Sequence, residues 1–342
     1  MNLQTTYLGL PLRNPLVASA GPLSQTVDGV KGLADGGVGA VVLYSLFEEQ
    51  VRAQLAQAER DAQLEEEHAE AFAEATSYFP SLTTEPAETV ALSYLSLVER
   101  AASAIDVPLI ASLNGSSIGS WVRFARQLEE AGAAALELNI YFVPGDTTLT
   151  GPEVEQRHVD IVAGVKQNVS IPVAVKLSPH FSSFGNLAVR LTEAGADGLV
   201  LFNRFLQPEV DIERVEVVPG VELSSRAEGR LPRTWIAALR HRLPVSLAAT
   251  SGVEDAEDVV RYLLAGADVV MTTSALVRHG RDYSRVLLDG LLEWLQRKGF
   301  RSVDQARGLL AVPAAVDPSG YQRAGYVTAL EKAKSRYGSL QG

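Results

Sequence analysis

Apolar residues along this chain fall into two alternating kinds of short run. Four runs follow a proline and end in small or polar residues: NPLVASAG, VPLIASLNG, IPVAVKLSP and LPVSLAATSG, headed by Pro15, Pro108, Pro172 and Pro244. Proline lacks an amide hydrogen and is tolerated at the first position of a strand. The residues after it are apolar on both faces, as in buried parallel strands. Four further runs follow a small-residue turn: DGGVGAVVLYS from Asp35, EAGAAALELN from Glu130, EAGADGLVLFN from Glu193 and LAGADVVMTTS from Leu264. Glycine there caps the end of a helix, and the apolar run after it is again strand-like. Amphipathic stretches with helical spacing lie between, among them WVRFARQLEEAG, QRHVDIVAGVKQ, NLAVRLTEAG and DAEDVVRYLLAG.

Eight strands alternating with helices predict an α/β fold, a closed (β/α)8 TIM barrel. An open doubly wound sheet is the alternative, and no Gly-x-Gly-x-x-Gly follows the first strand to support it. The expected organisation is a single domain over residues 1–342. A helical insertion is expected after strand two, at about 47–83, where ERDAQLEEEHAEAFAEA reads as a solvated acidic face. The tail at about 300–342 is expected to be helical, ending in a basic helix packed on the barrel or on a partner subunit.

Composition narrows the function. The chain is 46% hydrophobic and 21% charged, with no window of ~18 consecutive apolar residues, so no membrane segment is expected. The N-terminus MNLQTTYLGLPLRNP lacks the basic start and apolar centre of a secretory signal, which makes the cytoplasm the expected location. A net charge of -11 argues against a nucleic-acid surface and for a small-molecule ligand. With no cysteine, the chain has no disulfide, thiolate zinc site, cysteine-ligated iron-sulfur cluster or catalytic thiol. The histidines are scattered, and no metal site is expected.

In a barrel the chemistry lies at the carboxyl ends of the strands. Read in order, those ends give Ser19, Ala20 and Gly21; Tyr44 and Ser45; Asn114 and Gly115; Glu137 and Asn139; Lys176; Asn203; Thr250, Ser251 and Gly252; and Thr272, Thr273 and Ser274. The last two groups each open a helix, the first near Glu254, at the position where barrels commonly hold phosphate; hydroxyls there also serve as ordinary helix caps. Lys176 ends an apolar strand, where an unpaired charge is costly. It needs an anionic or electron-rich partner, and a flavin, a Schiff-base substrate or a structural ion pair with Glu137 would each satisfy it.

These motifs together resemble the dihydroorotate dehydrogenase family of FMN-containing barrels, specifically its dihydroorotate dehydrogenase-like branch. NPLVASAG is similar to the family's first flavin loop, LELNIYFVP to its Glu-Leu-Asn strand and PVAVKLSP to its flavin lysine. LVLFNR resembles its substrate asparagine segment, and AATSGV with MTTSAL its phosphate grip. The resemblance implies FMN held by Ala20, Gly21, Lys176, Gly252, Thr273 and Ser274, with Asn139 and Asn203 facing the substrate. Ser19, Ser45, Asn114, Thr250, Ser251 and again Asn139 complete the expected cofactor shell.

The departures are as informative. Where the family has a Cys or Ser that removes a proton while hydride passes to the flavin, this chain has Phe142. A lysine usual at the end of strand two is replaced by Tyr44, the Gly before the second gripping hydroxyl by Thr273, and the substrate-binding Asn after the base is gone. Tyr141 is the nearest candidate base, although an ordinary phenol with a pKa of about 10 needs strong tuning for that role. His180 is the other candidate. The expected activity is oxidation of dihydroorotate or another small CH-CH donor. The alternatives are a non-catalytic or electron-transferring FMN module and a lysine-dependent lyase or isomerase. A homodimer is expected from the resemblance, and any iron-sulfur relay would sit on an electron-transfer partner.

Overall fold

The computed structural model describes residues 1–50, 90–115, 118–204, 208–218, 220 and 222–337. The chain opens with an antiparallel hairpin, β1 (Thr5–Tyr7) and β2 (Leu10–Leu12), turned by Leu8 and Gly9, both at positive φ. Two consecutive left-handed residues give the tight turn whose twist matches that of a hairpin. Eight parallel strands follow and close into a barrel. They are β3 (Leu16–Ala18), β4 (Ala40–Phe47), β5 (Leu109–Asn114), β6 (Ala135–Asn139), β7 (Val173–Leu177) and β8 (Gly198–Leu201). After an exposed hairpin of β9 (Glu209–Asp211) and β10 (Glu216–Val218), β11 (Ser246–Ala249) and β12 (Val269–Thr272) complete the ring. Neighbours run in chain order, with β12 pairing back to β3. Each barrel strand coincides with a run expected from the sequence, β4 overrunning its run by two residues, and the Pro-headed strands start one or two residues after Pro15, Pro108, Pro172 and Pro244.

The barrel has two apolar shells. Outward side chains such as Leu43, Leu113, Leu136, Val175 and Leu199 pack under the helix ring, with Trp121, Tyr94 and Phe184 buried among them. Inward side chains are smaller: Ala40, Ala135, Ala174 and Ala248 sit with Val17, Val42, Ile110, Val200 and Met271 around Tyr7, Leu8 and Leu12 of the hairpin. The hairpin therefore stops the amino-terminal end of the barrel. Gly198 makes room for it, because a Cβ there would lie 2.5 Å from Leu8 Cδ2. Asp268 fastens this end. It accepts from the Leu247 amide and the Arg240 guanidinium at 2.8 Å, and its carbonyl receives the Thr5 hydroxyl.

Helices expected from the amphipathic stretches are present at Ile118–Glu130, Gly151–Lys166, Phe184–Glu193 and Ala256–Ala265. The last starts two residues beyond Glu254, because Asp255 takes the cap and accepts from the Asp258 amide. Strand two runs to Phe47, longer than the sequence suggested. Residues 48–50 enter a helical turn; the body of the expected insertion lies outside the described residues.

The tail is helical at Val303–Ala306 and Pro318–Tyr337. Its first part packs on the barrel, through Gly308, Leu310 and Val312 amides that donate to the Leu263, Leu264 and Ala237 carbonyls. The described side chains of the final helix are nearly all exposed, and Tyr321, Gln322, Gly325 and Tyr326 share a surface groove with Arg230, Arg233 and Leu264 of the barrel helices. Tyr326, Val327 and Leu330 lie on one side of this helix and Tyr321 on the other, all of them exposed. No helix among the described residues is long and apolar enough to cross a membrane.

Candidate active site

One cavity of about 240 Å³ opens at the carboxyl ends of the strands. Its wall takes Ser19, Ala20 and Gly21 after β3, Lys176 from β7 and Asn203 after β8. Thr250, Ser251 and Gly252 after β11, and Thr273 and Ser274 after β12, complete it. These ten expected site residues, far apart in sequence, therefore meet in one place. Parallel pairing explains it: every strand ends on the same side, and its last residues point into the mouth.

The glycines there are required by close approach. A Cβ on Gly21 would stand 2.5 Å from Thr273 Cγ2, and one on Gly252 would stand 2.5 Å from the Gly229 amide nitrogen. Gly252 is left-handed at φ 68°, and so is Ser251 at φ 77°, an unusual conformation for a side-chain-bearing residue. Two carbonyls of this turn, those of Thr250 and Ser251, accept from the Tyr262 hydroxyl at 3.1 and 2.6 Å. Burial pushes that phenol's pKa up, so it stays a donor.

Most hydroxyls at the two strand ends are already engaged. Thr273 donates to the Ser19 carbonyl at 2.8 Å and thereby ties the last strand to the first. Ser251 donates to the Phe202 carbonyl at 3.2 Å. Ser274 differs: its Oγ receives both the amide and the hydroxyl of Ser224, at 3.1 and 3.0 Å, while Ser224 Oγ accepts from the Gly252 amide at 3.2 Å. Arg278 holds the Ser224 carbonyl at 3.0 Å. Ser224 thus places its hydroxyl between the Gly252 amide, which donates to it, and the Ser274 oxygen, which accepts from it. It was not among the residues expected from the sequence, and a serine in an irregular loop gives no signal of its own.

Beside the cavity a second polar network crosses the barrel mouth. Asn203 Nδ2 donates to Asn139 Oδ1 at 2.6 Å, Asn139 Nδ2 to Ser45 Oγ at 3.3 Å, and Ser45 and Ser112 share a hydrogen bond of 2.8 Å. Ser45 points inward because the β4–β5 register shifts between Val42 and Ser45, which breaks the simple alternation along β4. Tyr44 instead sets its ring edge against Tyr94, 5.0 Å between centroids, and burial raises its pKa. Asn114 is buried with its Nδ2 lacking a partner among the described residues. Ser45, Asn114 and Asn139 are next to the cavity network without lining the cavity itself.

Lys176 lies 3.5 Å from Glu137, and Glu137 is fully buried. The structural ion pair foreseen from the sequence is therefore present, and Lys176 lines the cavity as well. Tyr141 is half-buried in the loop after β6, with its amide donating to the Asn139 carbonyl at 2.9 Å, and it does not line the cavity. Phe142, at the family's base position, carries the Arg157 guanidinium over its ring at 4.3 Å. Glu48, missed in the sequence, is buried at the end of β4 and accepts from the Ser120 hydroxyl at 2.8 Å. An acid directly after an apolar strand was the available signal. Among the described residues no three His, Asp or Glu side chains gather as metal ligands.

Comparison with known proteins identifies the family. The profile of the Dihydroorotate dehydrogenase family matches residues 82–295. A putative dihydroorotate dehydrogenase A (fumarate) of Aeropyrum pernix is 30% identical over 208 residues, covering 59% of this chain and 67% of the relative. A dihydroorotate dehydrogenase B (NAD(+)) catalytic subunit of Methanothermobacter thermautotrophicus is 27% identical over 328 residues, 90% of this chain and 98% of the relative. A subunit of the same description from Shouchella clausii is 28% identical over 211 residues, 59% and 68% of the two chains. With an eight-stranded barrel and a family match over most of its length, this chain belongs to the dihydroorotate dehydrogenase family.

Proposed function

We propose that this protein is an FMN-dependent oxidoreductase of dihydroorotate dehydrogenase type, acting on dihydroorotate or another small donor oxidised across a CH-CH bond. The observation that carries the reading is the one cavity in which Lys176 meets Gly21, Gly252, Thr273 and Ser274 beside the Asn139–Asn203 pair. The residues fit a flavin phosphate: the Gly252 amide already donates to an oxygen in the cavity wall, that of Ser224, and the Ser274 hydroxyl beside it carries a proton of its own to donate. Gly21 and Gly252 let backbone approach where a side chain would collide.

When bound, FMN supplies an acceptor for two electrons. Lys176, in the cavity wall, would offer its positive charge to the electron-rich ring system. Asn139 and Asn203 offer amide donors and acceptors to a polar substrate. Phe142 cannot take a proton, and Tyr141, two residues beyond Asn139 in the loop outside the cavity wall, is the candidate for the abstraction, with His180 the other. One domain, a cytoplasmic location and a homodimer accompany this reading. The two kinds of relative carry fumarate and NAD(+) in their names. Having no cysteine, this chain would pass electrons to a cysteine-ligated cluster only on a partner protein.

The test is anaerobic addition of dihydroorotate, and then of other small CH-CH donors, to FMN-loaded protein. The flavin band is expected to bleach, and Tyr141→Phe to abolish bleaching. Full bleaching in Tyr141→Phe takes the base role from Tyr141. No bleaching by any donor removes the oxidoreductase reading.

A further inference from the structure

Glu137 is a carboxylate in an unusual place. It points into the barrel from β6, is 0% exposed, and neither of its oxygens has a hydrogen-bond partner among the described residues. Its strand neighbours explain how it is housed. In register it faces Ser112 on β5 and Ala174 on β7, both small, and one residue pair further along Asn139 faces Lys176. The methyl of Ala174 leaves room for the carboxylate to lean toward the Lys176 stem, and the ammonium ends 3.5 Å from Glu137 Oε1. Lys176 in turn is buried and lines the cavity.

Nothing else cationic answers Glu137 among the described residues. Tyr7 rises from the hairpin below with its own hydroxyl unpartnered, and Tyr94 stands on the helix outside. Both phenols are pushed up in part by the Glu137 charge. Asn139 is committed to Ser45 and Asn203. At the rim, Arg204 is held by Glu228 and the Glu222 carbonyl, so Glu222 and Arg204 face each other rather than Lys176. The buried carboxylate and the buried ammonium are therefore each other's compensation. Removing one partner of such a pair leaves a charge that the dry interior neutralises.

We propose that Glu137 is the counter-ion and positioning residue of Lys176, keeping the ammonium charged and aimed into the cavity, and that through Lys176 it sets the reduction potential of a flavin bound there. This rests on the flavin reading above and adds a residue that touches neither cofactor nor substrate. A merely structural glutamate would affect folding or FMN uptake and leave the potential of the bound flavin alone.

The experiment measures FMN uptake by fluorescence quenching, then the potential of bound FMN by equilibration with reference dyes at pH 6 and pH 9. Wild type, Glu137→Gln and Lys176→Met are compared. In Glu137→Gln the lysine loses its counter-ion, and the potential of bound FMN is expected to depart from the wild-type value measured at the same pH. The Glu137→Gln/Lys176→Met double variant, which leaves neither charge unpaired, is expected to match Lys176→Met at both pH values. It carries the test if the single Gln variant does not fold. Wild type that takes up no FMN overturns the flavin reading and this proposal with it. Wild type that takes up FMN, with Glu137→Gln matching it at both pH values, or a double variant that differs from Lys176→Met, overturns this proposal alone.

Discussion

Asn203 donates from Nδ2 to Asn139 Oδ1 at 2.6 Å, joining the ends of β8 and β6 across the intervening β7. Each asparagine holds the other in one amide orientation, and Ser45 fixes the far end of Asn139. Two amides pre-set in this way can read a polar ring without first reorganising. Asn203→Ala should lower kcat/KM for the reducing substrate about 10- to 100-fold, the equivalent of ~1–3 kcal/mol for a buried partner left unpaired. FMN uptake should persist. Steady-state kinetics with a parallel flavin fluorescence titration checks this; loss of FMN uptake would move Asn203 to the cofactor.

Gly252 combines a left-handed φ of 68° with a backbone neighbour 2.5 Å from where a Cβ would stand. Gly252→Ala is expected to cost about 1–3 kcal/mol of stability, the range for a strained backbone position. It should also weaken FMN binding more than that loss explains, because the amide facing Ser224 must move. Thermal melts with and without FMN separate the two effects.

Tyr7 is 1% exposed, and its hydroxyl has no partner among the described residues. Removing an unsatisfied buried polar atom costs nothing in hydrogen bonding and relieves its desolvation. Tyr7→Phe should therefore match or exceed the wild-type melting temperature. Tyr7→Ala, which empties the barrel floor, should lose about 3–5 kcal/mol. A Tyr7→Phe variant with a clearly lower melting temperature would show that the hydroxyl is satisfied in solution.

His158 is buried, with Nδ1 bonded to the Val154 carbonyl at 2.8 Å and its ring edge-on to Phe181. Burial lowers its pKa from the ordinary value, so the unfolded chain binds the proton more readily. Its contribution to stability is thus complete above a pH of about 6.5, the unfolded value, and is lost as pH falls below it. Melting temperatures between pH 8 and pH 5 should fall less steeply for His158→Gln than for wild type.

Much of this molecule was legible in its sequence because parallel barrel strands are apolar on both faces and punctuated at fixed places. Pro108 and Pro172 each mark a strand start, and Gly132 and Gly195 each close a helix before the next strand. Lys176 was visible as the one cation ending an apolar strand. What stayed hidden depends on geometry between distant residues. Ser45 reaches the interior through a register shift that no alternation pattern encodes, and Ser224 acts through an irregular loop. The exclusion of Thr273's hydroxyl from free binding follows from its bond to Ser19, which lies 254 positions away in the chain. The β1–β2 hairpin was missed because its strands are three residues each, too short for a periodicity to register.

The central claim is that the cavity around Lys176, Gly252 and Ser274 holds FMN, and equilibrium titration of the metal-free, flavin-stripped protein with FMN tests it most directly. The account predicts saturable quenching of flavin fluorescence at one FMN per chain, weaker uptake of riboflavin, which lacks the phosphate, and weaker uptake of FMN in Gly252→Ala. Wild-type protein that remains colourless and leaves FMN fluorescence unchanged would contradict it.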